Sequence, residues 1–414
     1  MRSTRAQRLT DEGDGDRARP ARWGRLAEST GWGLVLSLAV LTAASITAVA
    51  FSVDAPLIRD DIGLSTVGVG AMTSAVYVGA ALSSVAGGWL TDRRGPAPVL
   101  VGALVLLGVG CLLSQLARSV PLFFLGVLIS GLGYGWVNPP TNVISNPINV
   151  RRRALSMSVK QTGIPLGGSL AGLLVAPVAA AHGWRTSLFV PITLCAVLAV
   201  VCARWCPIRS DSGSFAVASE RTVKLKLPGG WAFGLLMNGV QGSIFAFLTL
   251  YLTEERGLST ASAGLCLSVL LVGGVLGRPF WGWASDRMHH DRVRVLQLTA
   301  AIAGVLLLLL ASVPTTVVYL LLPVIGMSAV GWNGAFIATV AEAARAGTVG
   351  FDTGISFVMV NVGAVLAPPT VGALAGGRTG WHAAWILCAA LSIGCALILQ
   401  FSRRVAEAPA CGAA

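Results

Sequence analysis

Charge is scarce in this sequence. Asp, Glu, Lys and Arg make up 12% of its 414 residues, about half the share of a soluble globular domain. So few charges cannot coat a water-facing surface of this size, which argues against an ordinary soluble protein. Histidine is scarcer: His182, His289, His290 and His382 are all there are, and each lies at a break between apolar runs. No Ser–His pair, clustered acid dyad or metal-ligand set stands inside the apolar segments, so neither an intramembrane enzyme nor a metal site is expected. No glycine-rich phosphate loop ending in lysine occurs, so no ATP-binding domain and no cofactor are expected. The eight cysteines stand singly, most of them within apolar runs, and read as small hydrophobes.

Apolar residues fill the space that charge leaves. They make up 54% of the chain, in runs of the 18 or so residues that cross a bilayer as helix. The runs do not alternate as barrel strands do. The pattern predicts an all-α integral membrane protein with twelve spans, at 33–55, 67–90, 97–117, 121–144, 156–180, 185–205, 231–253, 260–284, 293–313, 316–341, 352–375 and 382–401. Of the Lys and Arg residues, 23 fall in the tails and even-numbered loops and five in the odd-numbered loops. The positive-inside rule then places both termini in the cytoplasm of a cell-membrane protein. The net charge of +12 is thus spread over loops and tails and does not point to nucleic acid. Residues 1–30, rich in arginine, read as a disordered tail. Residues 31–205 read as a first six-helix bundle, 206–229 as a cytoplasmic linker, 230–402 as a second bundle and 403–414 as a second tail.

The chain repeats itself. Shifting it by 194 residues lays 63–94 on 257–288 with 13 identities in 32 positions. GLST at Gly63–Thr66 falls on GLST at Gly257–Thr260. Gly88, Trp89, Asp92 and Arg93 fall on Gly282, Trp283, Asp286 and Arg287. Gly135-Trp136 is matched by Gly331-Trp332, and GWR at Gly183–Arg185 by GWH at Gly380–His382. Two parallel six-helix halves are one plan for alternating-access transporters. The arrangement resembles the major facilitator superfamily. Gly88, Asp92, Arg93 and Gly95 match its motif between helices two and three, and Gly282, Asp286 and Arg287 match the second copy. The resemblance implies a secondary transporter of small molecules, with these residues latching the halves on the cytoplasmic side. Each acid would meet the N-terminal end of a helix in the other half, and each glycine would let helices approach closely. A channel or receptor leaves the doubled motif unexplained.

Ionisable groups inside spans are costly and mark candidate substrate contacts. Arg278 lies eight residues before Asp286, about 12 Å along a helix. Lys160 lies seven after Arg153, about 10 Å. The two cations come from opposite halves at matching depth, without a sequence-local acid, and a bound anion would relieve their cost. The resemblance places helices five and eight side by side. Lys160 opens KQTGIPLGG, Lys160–Gly168, which is similar to the fifth helix of cyanate- and nitrate-type porters. Ser84 stands where a nitrate porter would pair a second arginine with Arg278. The resemblance also makes Tyr77, Trp136, Asn138, Asn238, Gln241, Trp332, Asn333 and Asn361 cavity candidates, with interhelical packing as the other reading of each. Asp54, just past the first span, is a candidate proton carrier unless it faces the outer water with Asp60 and Asp61. The best expectation is a monomeric transporter of a small organic or inorganic anion, embedded in lipid and coupled to a proton or ion gradient. Efflux of a drug-like or secondary-metabolite compound by proton antiport is the alternative.

Overall fold

The computed structural model describes residues 30–145, 159–206, 230–287, 292–336, 339, 349–377 and 380–407. Among the described residues, twelve helices are long and apolar enough to cross a membrane. They are α1 Gly31–Val53, α2 Thr66–Arg94, α3 Pro96–Leu116, α4 Val120–Ile144, α5 Val159–His182, α6 Trp184–Trp205, α7 Gly230–Glu254, α8 Thr260–Ala284, α9 Val293–Ser312, α10 Thr315–Phe336, α11 Val358–Ala375 and α12 Gly380–Ser402. They fall on the twelve expected spans, with ends differing by several residues at most. A short helix, Ala55–Ile62, follows α1. With an even number of spans, the two ends of the described chain share one face, here the terminal face. The short helix and the loops after α3 and α5 lie on the far face.

The repeated GLST is a helix start. Gly63 and Gly257 sit at φ 74° and 66°, the left-handed region that glycine enters without steric cost. Two residues on, Ser65 Oγ accepts from the N–H of Gly68 at 3.1 Å. Its repeat mate Ser259 does the same for Ser262 at 3.2 Å. Such a cap supplies a partner for an otherwise orphaned backbone donor and stabilises a helix by about 1 kcal/mol. Gly183 and Gly380, at φ 82° and 58°, turn the chain into α6 and α12. The duplication survives in packing as well. Gly131 of α4 lies against Val76 of α2, and Gly326 of α10 lies against Leu270 of α8, the residue 194 positions after Val76. A methyl group at either glycine would enter the facing carbonyl. In a bilayer, where lipid is as apolar as the helices, such close backbone approach is a main source of association.

Within the first half α3 packs on α4 and α6, α2 on α4, and α1 on α5. Within the second, α7 packs on α11, α9 on α12, and α8 on α10. Two long contacts join the halves, α5 with α8 and α2 with α11.

Candidate functional site

The α5–α8 contact contains a backbone irregularity. Pro165 has no N–H, so the carbonyl of Gln161, four residues earlier, has no donor in its own helix. The Arg278 guanidinium, on α8 of the other half, supplies one. Arg278 is 8% exposed, and its Nε has no hydrogen-bond partner. The Tyr134 side chain of α4 stands within electrostatic reach of the guanidinium. A neutral carbonyl satisfies one donor without balancing the charge, and among the described residues no carboxylate does so. The neighbour of Gln161 is Lys160, fully buried. Its Nζ donates to Asn142 Oδ1 on α4, again a neutral partner. The two cations therefore do converge on consecutive residues of α5. Arg278 reaches between the halves, whereas Lys160 is turned into its own half.

The other hydrogen bonds joining the halves lie near mid-membrane or towards the far face. Ser169 and Ser268 donate to each other's carbonyls across α5 and α8, at 3.1 and 2.7 Å. Ser74 of α2 donates to the Val365 carbonyl of α11 at 2.6 Å, and Thr249 of α7 to the Ser52 carbonyl of α1 at 2.6 Å. Arg59 of the short helix pairs with Glu254 at the end of α7. Glycines permit the approach: Gly172 and Gly264 face each other across α5 and α8, and Gly70 meets the backbone of Pro368 and Pro369 on α11. The far face is closed.

The terminal-face motif is in a different condition. Asp92 is exposed, and no hydrogen bond or ion pair holds it among the described residues. Arg93 lies over the Trp89 ring at 4.2 Å. Gly95, at φ 79°, makes the turn from α2 to α3. Gly88 and Gly282, expected at close helix contacts, meet nothing within 4 Å among the described residues. The backbone of Asp286 and Arg287 continues α8 to Arg287, and their side chains lie outside the described residues.

The aromatic and amide candidates divide. Tyr77 and Tyr134, in edge contact at 6.4 Å between centroids, line a cavity of about 20 Å³ with Ser45, Ser52 and Thr73, closed from the other half by Phe245 of α7. It has room for about one water. Trp136 wedges between Gly87 and Gly102, on α2 and α3, with its Nε1 unpartnered. Trp332 is fully buried against Phe233 and Phe336. These repeat mates are packing residues of their own halves in this conformation. Asn238 donates to the Val360 carbonyl at 2.8 Å, tying α7 to α11. Asn333 donates to Gln241 Oε1 at 3.1 Å, tying α10 to α7. Asn138 and Asn361 are half-buried. Asp54 does not share the exposure of Asp60 and Asp61: it is fully buried, in contact with the Ser187 hydroxyl of α6. Tyr134 and the Gln161 carbonyl were missed from sequence. The signal for the carbonyl was Pro165 itself, counted four residues back.

A described chain with twelve membrane helices, an internal parallel repeat and a seam between the halves has the architecture of a membrane transporter. A family model described as Major Facilitator Superfamily matches residues 35–368, and the chain belongs to that superfamily. It is a multi-pass membrane transporter and not an enzyme. A gentisate transporter of Corynebacterium glutamicum is 28% identical over 83% of this chain and 80% of its own length. A hexuronate transporter of Bacillus subtilis is 25% identical over 87% and 92%. A 4-hydroxybenzoate transporter of Pseudomonas putida is 26% identical over 81% and 84%. A solved bacterial homologue of the human lysosomal transporter Spinster, inward-facing and occupied, shares the fold with a TM-score of 0.74, at 16% identity over 90% of this chain and 97% of that one.

Proposed function

We propose that this protein is a secondary transporter of a small organic carboxylate, working by alternating access, with Arg278 as the anion anchor. The observation that carries the reading is Arg278 itself: buried between the halves, holding one neutral carbonyl, its Nε free, and facing no described acid. A guanidinium offers a carboxylate two parallel charge-assisted bonds, which a carbonyl cannot accept. Substrate binding would exchange the Gln161 carbonyl for a charged partner and so alter the contact between α5 and α8. That is the differential interaction by which a ligand shifts a two-state equilibrium. Three relatives named for gentisate, hexuronate and 4-hydroxybenzoate, all carboxylates, support this substrate class. Tyr134, within electrostatic reach of the arginine, and Tyr77 in edge contact with it supply an aromatic wall, and the 20 Å³ cavity they line must widen to admit a benzoate-sized ring.

The terminal face is taken as cytoplasmic, from the loop charge, and the protein as a monomer in the cell membrane. The closed far face, with Asp92 held by no partner among the described residues, is then the inward-facing side of the cycle, and the doubled Asp-Arg motif closes in the opposite state. Proteoliposomes holding the purified protein test this. Uptake of labelled 4-hydroxybenzoate or gentisate should be driven by a gradient of the substrate or of protons, without ATP. Uptake equal to that of empty liposomes for every carboxylate tried, with binding of neutral or cationic compounds instead, would overturn the carboxylate reading.

A further inference from the structure

Asp54 is the acid that the carboxylate reading leaves unused. It is the residue between α1 and the short helix, fully buried. Phe51, three residues before it, joins Phe123 and Trp184 in an edge-to-face cluster, with centroids 6.0 and 5.9 Å apart. Its Oδ1 is buried without a hydrogen-bond partner, and its Oδ2 touches Ser187 Oγ. The charged groups of the surrounding elements are engaged elsewhere or face water. Arg59 pairs with Glu254, and Arg185 with Asp61. Arg256 holds the Tyr251 hydroxyl. Asp60, His182 and Glu255 are exposed. Burial pushes the Asp54 carboxyl well above the usual range, against the lowering effect of the Ser187 hydroxyl.

The Ser187 geometry suits a protonated Asp54. Ser187 Oγ lies 2.7 Å from the Trp184 carbonyl as well as against Asp54. A hydroxyl has one proton to give, and a carbonyl can only accept it. Both contacts are satisfied at once when Ser187 donates to Trp184 and a protonated Asp54 donates to Ser187. An ionised Asp54 would compete for the single proton and leave a buried charge with one oxygen bare, the costliest arrangement for such a group.

Its position links this acid to the gate. Two residues before it, the Ser52 carbonyl accepts Thr249 of the other half. Five residues after it, Arg59 pairs with Glu254 of the other half. Opening the far face breaks both contacts and admits water to this corner. We propose that Asp54 is a proton-binding site, protonated while the far face is closed and deprotonated into far-face water when that face opens. Closing then takes up one proton per molecule, carboxylate and proton becoming carboxylic acid, with no other bond changed. The site lies apart from Arg278, so the inference does not depend on the substrate reading.

Infrared spectra of the purified, substrate-free full chain, compared with Asp54→Asn, test the protonation. Across about pH 5–8, where an ordinary Asp is ionised, the wild type should show the carbonyl stretch of a protonated carboxylic acid that the variant lacks. Ser187→Ala, which keeps the acid, should shift that band. A cysteine at Ser52, labelled by a maleimide, reports opening. Relative to a fully exposed thiol at the same pH, labelling of Ser52→Cys should rise with pH in the otherwise wild-type chain and stay low with Asp54→Asn. Coincident spectra, or the same labelling profile with and without Asp54, would overturn the proposal.

Discussion

Arg278 on α8 donates to the main-chain carbonyl of Gln161 on α5, and that carbonyl is free because Pro165 has no N–H to offer it. A single proline thus leaves an acceptor that a cation from the other half occupies. Pro165→Ala restores the intrahelical donor and removes the need for the arginine. In the wild-type background Arg278→Gln should lower the melting temperature, since a hydrogen bond to a charged group contributes about 1.5–3 kcal/mol. In the Pro165→Ala background the same change should cost measurably less. Equal costs in both backgrounds would mean that the bond contributes nothing.

Lys160 and Asn142 form a second test of buried charge. Asn142→Leu removes the amide that the ammonium leans on and leaves it buried and unpaired. The expected loss is about 1–3 kcal/mol. Lys160→Met, which deletes the charge and keeps the length, should be milder, and the double variant should recover most of the Asn142→Leu loss. Thermal melts of the four proteins in one detergent decide this.

Glycine at 264 is expected to matter where glycine at 282 does not. A Cβ at Gly264 would run into Ala176 of α5, whereas one at Gly282 meets open space. Gly264→Leu should hold the far face apart and abolish uptake while membrane insertion is kept. Gly282→Leu should leave the far-face contacts intact and impair only the state in which the terminal face closes. Cysteine accessibility from each side of the membrane separates these outcomes.

The twelve spans, the two halves and the doubled motif were legible because each is written in composition or repetition, which one chain displays by itself. Helix rise set Arg278 and Lys160 at similar height, and Arg278 meets the carbonyl of Gln161, the residue next to Lys160. Direction around the helix was not legible. Trp136 and Trp332 occupy the helices that the resemblance assigns to the cavity, yet one fills a groove made by Gly87 and Gly102 and the other joins a phenylalanine cluster. Which way a tryptophan turns depends on the helices beside it, and in apolar spans all faces read alike. The Asp-Arg residues were legible as a motif and not as a contact: among the described residues no hydrogen bond or ion pair holds Asp92. Asp54 was left open between the interior and the outer water for a related reason: what buries it comes from elsewhere in the chain, Ser187 of α6 among its contacts.

Asp54 gives the protein a pH dependence of definite sign. Its carboxyl is held well above the ordinary value by burial, so the folded protein binds this proton more tightly than the unfolded chain does. The contribution to stability is fully present below the unfolded value of about 4 and is lost as pH rises through the raised folded value. Wild type should therefore lose melting temperature relative to Asp54→Asn as pH rises across that window. Parallel melting curves for the two proteins at every pH would contradict the assignment.

The central claim is that Arg278 recognises a carboxylate, and calorimetric titration of the purified protein tests it most directly. 4-Hydroxybenzoate and its uncharged amide, matched in shape, are titrated into wild type, Arg278→Lys and Arg278→Gln. The account predicts that wild type binds the acid and not the amide. Arg278→Lys, which keeps the charge and loses the fork, should weaken the acid at least about tenfold, or about 1.4 kcal/mol, and Arg278→Gln should abolish its binding. Acid and amide bound equally by wild type, or the acid bound by Arg278→Gln as tightly as by wild type, would contradict it.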